Sequence, residues 1–185
     1  LGTDWWLRLF TRTGTPVWQR PIPGTAWAVN VSADGRFVVA GYADGTIRWH
    51  RISDGAELLA LFAHADRRRW IAWTPEGFYA ASGADAEELI GYHLNQGRDR
   101  EGRFVSARQL REAFYQPHLV SRRLDADGDA LIAEARAKLG DVNALLAQGD
   151  RLAAAREAKA AWRADELGEA TEEAAYEEFK ELLAR

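Results

Sequence analysis

The amino-acid sequence predicts a mainly β fold of antiparallel strands, followed by an α-helical C-terminal arm. Two observations carry this prediction. Asp-Gly pairs at 34–35, 44–45 and 54–55 separate short runs rich in β-branched and aromatic residues, a pattern typical of hairpin turns between strands. From about residue 124 onward, apolar residues recur at helical spacing and alanine-rich runs follow. The β half therefore precedes the α half.

Short strands account for most of the first half of the chain. Two are expected at 7–10 and 16–20, on either side of Thr13-Gly14. Four more are expected at 26–31, 36–42, 46–51 and 57–62, joined by the three Asp-Gly pairs. Glycine accepts the positive φ that a type I′ hairpin turn requires, and aspartate tolerates it. The stretch from 26 to 64 therefore has the form of an antiparallel meander.

The meander recurs along the chain. Gly35 and Gly77 are 42 residues apart and follow corresponding strands, 27–31 and 70–73. The runs 47–50 and 90–93 also correspond, and 7–10 fits the same position further upstream. A period of about 40 residues is the signature of propeller blades. The sequence therefore predicts about two and a half antiparallel blades: the second half of one, a whole blade at about 26–64, and a diverged blade at about 67–94.

A family resemblance rests on the run from Ser32 to His50, which reads Ser-Ala-Asp-Gly-Arg-Phe-Val-Val-Ala-Gly-Tyr-Ala-Asp-Gly-Thr-Ile-Arg-Trp-His. This run closely resembles the middle of a WD-repeat blade. In that family a His, a Ser or Thr, a Trp and a turn Asp form a buried hydrogen-bonded set. The resemblance implies that five residues have such structural roles: Asp44 and Trp49 in the whole blade, and His64, Ser82 and Tyr92 in the next. The family's Trp-Asp dipeptide is Trp-His here, and Ala40 stands where a hydroxyl is expected.

The segments 70–82 and 90–95 resemble the last blade of large bacterial WD-repeat proteins. In those proteins the propeller often shares a chain with a caspase-like peptidase, an ATPase or another signalling module. The chain contains no methionine, so Leu1 is expected to lie inside a longer product. About two and a half blades cannot close a ring of about four to eight. The open edge is therefore expected to be covered by further sequence, by another chain or by self-association.

The back half is expected to be helical. Ser106 and Gln109 have the spacing of a capping box ahead of an apolar stripe that Pro117 is expected to end. Further helices are expected from about 124, with a break at Gly140-Asp141. The run after Gly149-Asp150 weakly resembles the second helix of a tetratricopeptide repeat. The predicted organisation is propeller blades at 1–103, a capping helix segment at 104–120 and a helical arm at 121–185.

The amino-acid composition excludes several classes of protein and of chemical site. Hydrophobic residues make up 47% of the 185 residues and charged residues 28%, as in soluble globular proteins. The absence of cysteine excludes disulfides, thiolate nucleophiles and cysteine zinc sites. Residues 1–149 hold 18 Lys/Arg and 18 Asp/Glu, which argues against nucleic-acid binding. No apolar stretch predicts a membrane span or a signal peptide, so the default expectation is a cytoplasmic protein.

No residue pattern predicts catalysis, a metal or a cofactor. Asp125, Asp127 and Asp129 alternate as calcium ligands do, but the glycine and glutamate of an EF-hand are missing, which favours acids at a helix N-terminus. The four histidines lack metal-site spacing. The tryptophans of the strands have two interpretations, inter-blade packing and a ligand cage, of which packing is favoured.

Arg67, Arg68 and Arg69 form the sharpest charge cluster and the candidate partner-binding site. They are expected in the loop that enters a blade, where they would bind an acidic peptide or phosphate. The alternative interpretation, an ordinary solvated loop next to a strand edge, is favoured.

The leading functional prediction is a non-enzymatic interaction scaffold or sensor module within a larger bacterial WD-repeat protein. Its partner would be another protein or the remaining blades. The alternative is a regulatory propeller segment of a multidomain hydrolase or defence effector whose catalytic part lies outside this chain. A third interpretation is a small α+β domain in which the helices cover the sheet directly, without a propeller.

Overall fold

The computed structural model describes residues 1–94 and 101–139, which form antiparallel sheets followed by short helices. The strands are β1 Trp6–Phe10, β2 Pro16–Pro21, β3 Ala26–Val31, β4 Phe37–Tyr42, β5 Thr46–Arg51, β6 Glu57–Ala63, β7 Trp70–Trp73, β8 Tyr79–Ala81, β9 Gly91–Leu94 and β10 Arg103–Ser106. The α-helices are α1 Arg111–Phe114, α2 Pro117–Ser121 and α3 Gly128–Leu139, and 3₁₀ turns span Ala86–Leu89 and Ala107–Leu110. The predicted order of β structure followed by α structure is confirmed.

The central feature is a six-stranded antiparallel sheet in which sequential strands are neighbours, from β3 at one edge to β8 at the other. Each strand predicted between residues 26 and 62 is present, and its ends differ from the predicted ends by at most one residue. Gly35, Gly45 and Gly55 have positive φ, as expected, but the aspartates before them do not, so the expectation of type I′ turns is wrong. In each of these turns the preceding aspartate accepts a backbone N–H two residues on, which closes the turn.

The sheet continues across the predicted boundary between the second and third blades. Strand β6 pairs with β7 over four residue pairs, from Ala60 with Trp73 to Ala63 with Trp70. The two repeat units therefore share one hydrogen-bonded sheet. The connection that allows this pairing is the tight turn from His64 to Arg69, where the N–H of His64 donates to the carbonyl oxygen of Arg69 at 2.8 Å.

The hairpin β1–β2 packs face to face on the first strands of this sheet. A buried apolar cluster joins the two layers: Leu7, Ile22, Val38, Ala40 and Tyr42, with Trp18, Ala26 and Ile52 at its margin. The indole N–H of Trp18 donates to the carbonyl oxygen of Ile52 at 2.7 Å. The guanidinium of Arg20 donates to the carbonyl oxygen of Asp54 at 2.6 Å. The hairpin is therefore fixed to the β5–β6 turn by both apolar contact and hydrogen bonds.

Helices cover the β8 end of the sheet. Val120 of α2 packs with Ala72 and Ala80, and a parallel bridge joins Tyr115 to Tyr79. Phe114 of α1 packs against Phe78 and Tyr92. This contact corresponds to the third sequence interpretation, in which helices lie directly on the sheet.

The predicted capping box is present: the backbone N–H of Ser106 donates to Gln109 Oε1 at 2.9 Å. The helix expected to stop at Pro117 ends at Phe114, and Pro117 then occupies the first turn of a second helix, α2, that was not predicted. Proline suits that position since its fixed φ is helical and its missing N–H would have no partner there. The helix expected from about 124 begins at Gly128, after a turn that holds Asp125 and Asp127. The helices predicted beyond residue 139 lie outside the described residues.

One compact unit spans Leu1–Lys138. Within the two described ranges, no helix has the length and apolar character needed to cross a membrane. Those ranges also contain no cluster of His, Cys, Asp or Glu suited to a metal ion.

Candidate interaction surfaces

The arginine cluster predicted as a partner site lies in the β6–β7 turn, and Asp66 organises it. Asp66 Oδ1 accepts the backbone N–H groups of Arg68 and Arg69, both at 2.9 Å. Its other oxygen accepts Arg69 Nε at 2.6 Å and lies 3.0 Å from His64 Nδ1. These hydrogen bonds hold the pKa of Asp66 well below its usual range, those from the backbone N–H groups of Arg69 and Arg68 most strongly. The charge of Arg69 is thereby balanced within the turn.

Arg67 and Arg68 are the members of the cluster that remain available to a partner. Both are exposed, and within the described part of the chain neither guanidinium forms a hydrogen bond or ion pair. Among the described residues other than glycine, it is Arg67 that has a positive φ, of 60°. Asp85 and Glu88 lie near enough to help raise the pKa of Arg69, after the larger effect of its hydrogen bond to Asp66. The structure therefore offers two exposed arginines, Arg67 and Arg68, and their role in binding stays a prediction.

The residues given blade-structural roles occupy separate places. Asp44 accepts the N–H and the hydroxyl of Thr46 at 2.9 and 2.6 Å, and also pairs with Arg48 at 2.9 Å. Arg48 also forms an ion pair with Glu57 of β6 at 3.0 Å. Asp44 therefore stabilises the β4–β5 turn and, through Arg48, links that turn to β6. Trp49 lies half-buried on β5.

The remaining three residues each make a separate contact, and that of Tyr92 is to the β7–β8 turn. His64 contacts Asp66, Ser82 Oγ accepts the N–H of Trp70 at 3.1 Å, and the Tyr92 hydroxyl donates to the carbonyl oxygen of Gly77 at 2.8 Å. Burial raises the pKa of Tyr92. Among the residues that the structure describes, no hydrogen bond joins any two of the five predicted side chains. The hydrogen-bonded set implied by the family resemblance is thus not assembled from them.

A buried polar pair is present elsewhere in the whole repeat unit. The Tyr42 hydroxyl and His50 Nε2 lie 2.9 Å apart, and both residues are buried. Burial lowers the pKa of His50 and raises that of Tyr42 to about 12. This contact gives the buried Tyr42 hydroxyl a hydrogen-bond partner inside the sheet. Sequence reasoning did not assign this pair, although Tyr42 and His50 flank the same Asp-Gly turn.

Exposed large apolar side chains occur on residue 5, on the β1–β2 hairpin and on the edge strand β3, and we call this group the front surface. Its members are Trp5, Trp6, Phe10, Val17, Trp27, Val29 and Val31. Their exposed fractions range from 36% for Trp6 to 79% for Trp27. Scattered exposed apolar residues are ordinary, but a group of large ones at one end of a fold marks a surface for association.

Strand pairing explains which side chains of the hairpin are exposed. Leu7 pairs with Arg20 and Leu9 with Trp18, on the face that contacts the sheet. Alternation along the strand places Trp6 and Phe10 on the opposite face. The hairpin therefore buries one apolar face and exposes Trp6 and Phe10 on the other, with the hydrogen-bonded Arg8 and Gln19 between them.

Strand β3 supplies the other half of the front surface. It is the edge strand of the six-stranded sheet, and its sequence Ala-Trp-Ala-Val-Asn-Val contains neither a charge nor a proline. Natural edge strands usually carry such residues to prevent association. Residues 1–5 lie beside it, since the N–H of Ala26 donates to the carbonyl oxygen of Thr3 at 3.1 Å. The N-terminal residues therefore lie against the edge strand, just before the hairpin.

A comparison of the sequence with protein-family models finds no match, and a comparison with curated proteins finds none either.

Proposed function

We propose that the chain is a non-enzymatic protein–protein interaction scaffold made of WD-repeat-like blades, and that it acts within a larger propeller protein. The front surface is the observation that supports this proposal most strongly. Leaving Trp27, Val29 and Val31 in water costs free energy that association recovers, at about 25 cal/mol for each Å² of apolar surface that is covered.

The occupant that we propose for the front surface is a further antiparallel sheet of the same blade type. The contact between the β1–β2 hairpin and β4 supports this choice, because it already joins two sheets face to face through apolar side chains. The outward face of the same hairpin again presents aromatic residues, Trp6 and Phe10. Packing of one apolar sheet face on another at about 10 Å is the usual way to bury both.

The helices restrict where this association takes place. The β8 edge of the sheet bonds to Tyr115, and α2 packs on β7 and β8 through Val120. At the β3 edge the described contact is with the N-terminal residues, through the Ala26 N–H and the carbonyl oxygen of Thr3. A partner sheet is therefore directed to the front surface.

Sedimentation velocity of the 185-residue chain over a micromolar concentration series tests this proposal. Without its natural occupant, the front surface is expected to drive reversible self-association. Changing Trp27→Lys together with Val31→Lys places two charges in that contact and is expected to weaken self-association at least about tenfold, since each unpaired charge at an interface costs more than a kilocalorie.

The matched control is Ile47→Lys, which adds a charge at an exposed apolar residue of β5 away from the front surface. It is expected to sediment as the wild type does. Thermal unfolding of each variant checks that the fold is retained. A wild-type chain that stays monomeric throughout, or equal effects of the front and control substitutions, would contradict the proposal.

A further inference from the structure

His50 is buried on the side of the sheet that the β1–β2 hairpin packs on. It pairs with Val38 across strands β4 and β5, and directly opposed residues of an antiparallel pair lie on the same face. Val38 and Tyr42 belong to the apolar cluster that joins the hairpin to the sheet. Only 3% of His50 is exposed. The imidazole ring is therefore shielded from water on the hairpin side of the sheet.

The imidazole ring has one hydrogen-bond partner among the residues that the structure describes. Its Nε2 lies 2.9 Å from the Tyr42 hydroxyl, whereas Nδ1 is buried with no partner within hydrogen-bond distance. A neutral ring can use the Tyr42 hydroxyl in either tautomer, because a hydroxyl both donates and accepts. A protonated ring carries an N–H on each nitrogen, so its Nδ1–H and its charge would be buried without an acceptor. The hydrogen bonds of the site therefore favour the neutral ring.

The charged groups of the neighbouring elements do not compensate a charge on His50. Those groups, and the one other titratable side chain, are Tyr42 of β4, Arg48 of β5, Glu57 of β6, Arg20 of the hairpin, and the paired Arg51 and Asp54 of the β5–β6 turn. Glu57 lies opposite His50, but its two carboxylate oxygens accept from Arg48 Nη1 at 3.2 and 3.0 Å. Burial therefore lowers the pKa of His50, Glu57 and the backbone of Gly55 oppose that effect only in part, and the charge of Arg48 adds to it.

The hairpin is the element beside His50 that can open without breaking a strand ladder. It forms a two-stranded sheet of its own, whereas β4 and β5 are each paired on both sides within the six-stranded sheet. Its attachment consists of the apolar cluster and of the hydrogen bonds from Trp18 and Arg20 to the β5–β6 turn. Elements held by few backbone hydrogen bonds open at a lower cost in free energy than core strands do. Opening of the hairpin therefore returns His50 to water while the central strands stay paired.

We propose that His50 is a pH-sensitive switch for the contact between the β1–β2 hairpin and the six-stranded sheet, and that protonation of its ring releases the hairpin. In the open state the ring is hydrated, and the pKa of a hydrated histidine is about 6.5. The open state therefore binds the proton more readily than the closed state. The contact has its full strength above about pH 6.5 and weakens as the pH falls below that value. The hairpin carries Trp6 and Phe10, so the switch also acts on the front surface, a consequence that rests on the function proposed above.

Hydrogen exchange of the full 185-residue chain, followed by mass spectrometry, tests this switch. Between about pH 7.5 and about pH 5.5, exchange in hairpin peptides is expected to accelerate severalfold, up to about tenfold, after correction for the intrinsic pH dependence of exchange. Tenfold is about the full effect of one proton that only the open state binds, with a pKa of about 6.5. Peptides of β4 and β5 are expected to keep their protection. His50→Gln, which places a neutral polar side chain there, is expected to remove most of the acceleration.

His118→Gln is the matched control, because His118 is an exposed histidine of α2. It is expected to show the same acid acceleration as the wild type. A nuclear magnetic resonance titration of the labelled histidine rings in the wild type measures His50 without relying on a folded His50 variant. Single substitutions of the other three histidines assign its signal by elimination. The pKa of His50 is expected to lie below the ordinary range of histidine, as its burial requires.

A His50 ring that titrates in the ordinary range would overturn the switch, as would hairpin exchange that does not accelerate in acid. Equal acceleration in the wild type and in His50→Gln would assign the effect to another group. Equal acceleration of the hairpin and of β4 and β5 would show loss of the whole fold in place of hairpin release, and would also overturn the switch. Exchange is read on the hairpin itself, whereas sedimentation measures association through the front surface. A failure of the switch is therefore distinguishable from a failure of the proposed function.

Discussion

Replacing Phe114 with alanine is expected to lower the free energy of unfolding by about 3–5 kcal/mol, which is the usual cost of emptying a buried phenylalanine site. Only 4% of Phe114 is exposed. Its ring centroid lies 5.9 Å from that of Phe78 and 5.1 Å from that of Tyr92. The substitution therefore opens a cavity where α1 meets the β7–β8 hairpin and the β9–β10 hairpin. Urea denaturation followed by circular dichroism measures the loss.

The matched control is Phe104→Ala, because Phe104 is the same residue type at an exposed position of β10. Its substitution is expected to cost no more than about 1 kcal/mol. If the two variants lose the same stability, the helical segment does not depend on Phe114 for its attachment to the sheet.

Gly55→Ala is expected to cost about 2–4 kcal/mol, combining the strain of a positive φ with an overpacked contact. Gly55 has φ of 74° in the β5–β6 turn. An added Cβ would lie 2.7 Å from Trp18 Cε3 and 2.9 Å from Arg20 Cγ. Neither side chain moves away freely, since each also donates a hydrogen bond to this turn. The β1–β2 hairpin is therefore expected to shift from the sheet, with a change in tryptophan fluorescence.

Gly35→Ala separates the two costs. Gly35 has φ of 69°, and an added Cβ there would meet no atom within 4 Å. It is expected to lose only the backbone part, about 1–2 kcal/mol. The difference between the two variants in urea denaturation gives the free energy of the clash. If Gly55→Ala costs no more than Gly35→Ala, the hairpin does not pack against the β5–β6 turn.

Local turn chemistry made β3 to β6 predictable. An Asp-Gly pair specifies a tight turn from a few residues, and the β-branched runs between the pairs leave little choice of register. The capping box was predictable for the same reason, because Ser106 and Gln109 are only three residues apart. The role of Pro117 was not predictable from its own preference, because proline both ends one helix and begins the next.

The continuous pairing of β6 with β7 joins two segments that the sequence predicts to be separate repeat units. The repeat period indicates where equivalent strands recur, but it contains no information on whether the last strand of one unit bonds to the first strand of the next. The short turn at His64 and Asp66 decides that question, through hydrogen bonds that the spacing of Asp66 and Arg69 only suggests.

The candidate surfaces also differ in whether neighbouring residues in the sequence reveal them. The arginine cluster was visible because its members are consecutive, and Asp66, three residues before Arg69, was the available signal that one member is paired. The front surface was not identified, since the exposure of Trp27 and Val31 depends on the edge position of β3.

The most direct test of the central claim is native mass spectrometry of the protein isolated from its source, combined with oxidative footprinting of its tryptophans. The scaffold account predicts a species heavier than 20.7 kDa, in which Trp6 and Trp27 are protected from oxidation relative to the isolated chain. A 20.7-kDa monomer with both tryptophans readily oxidised would contradict it, because the front surface would then have no occupant.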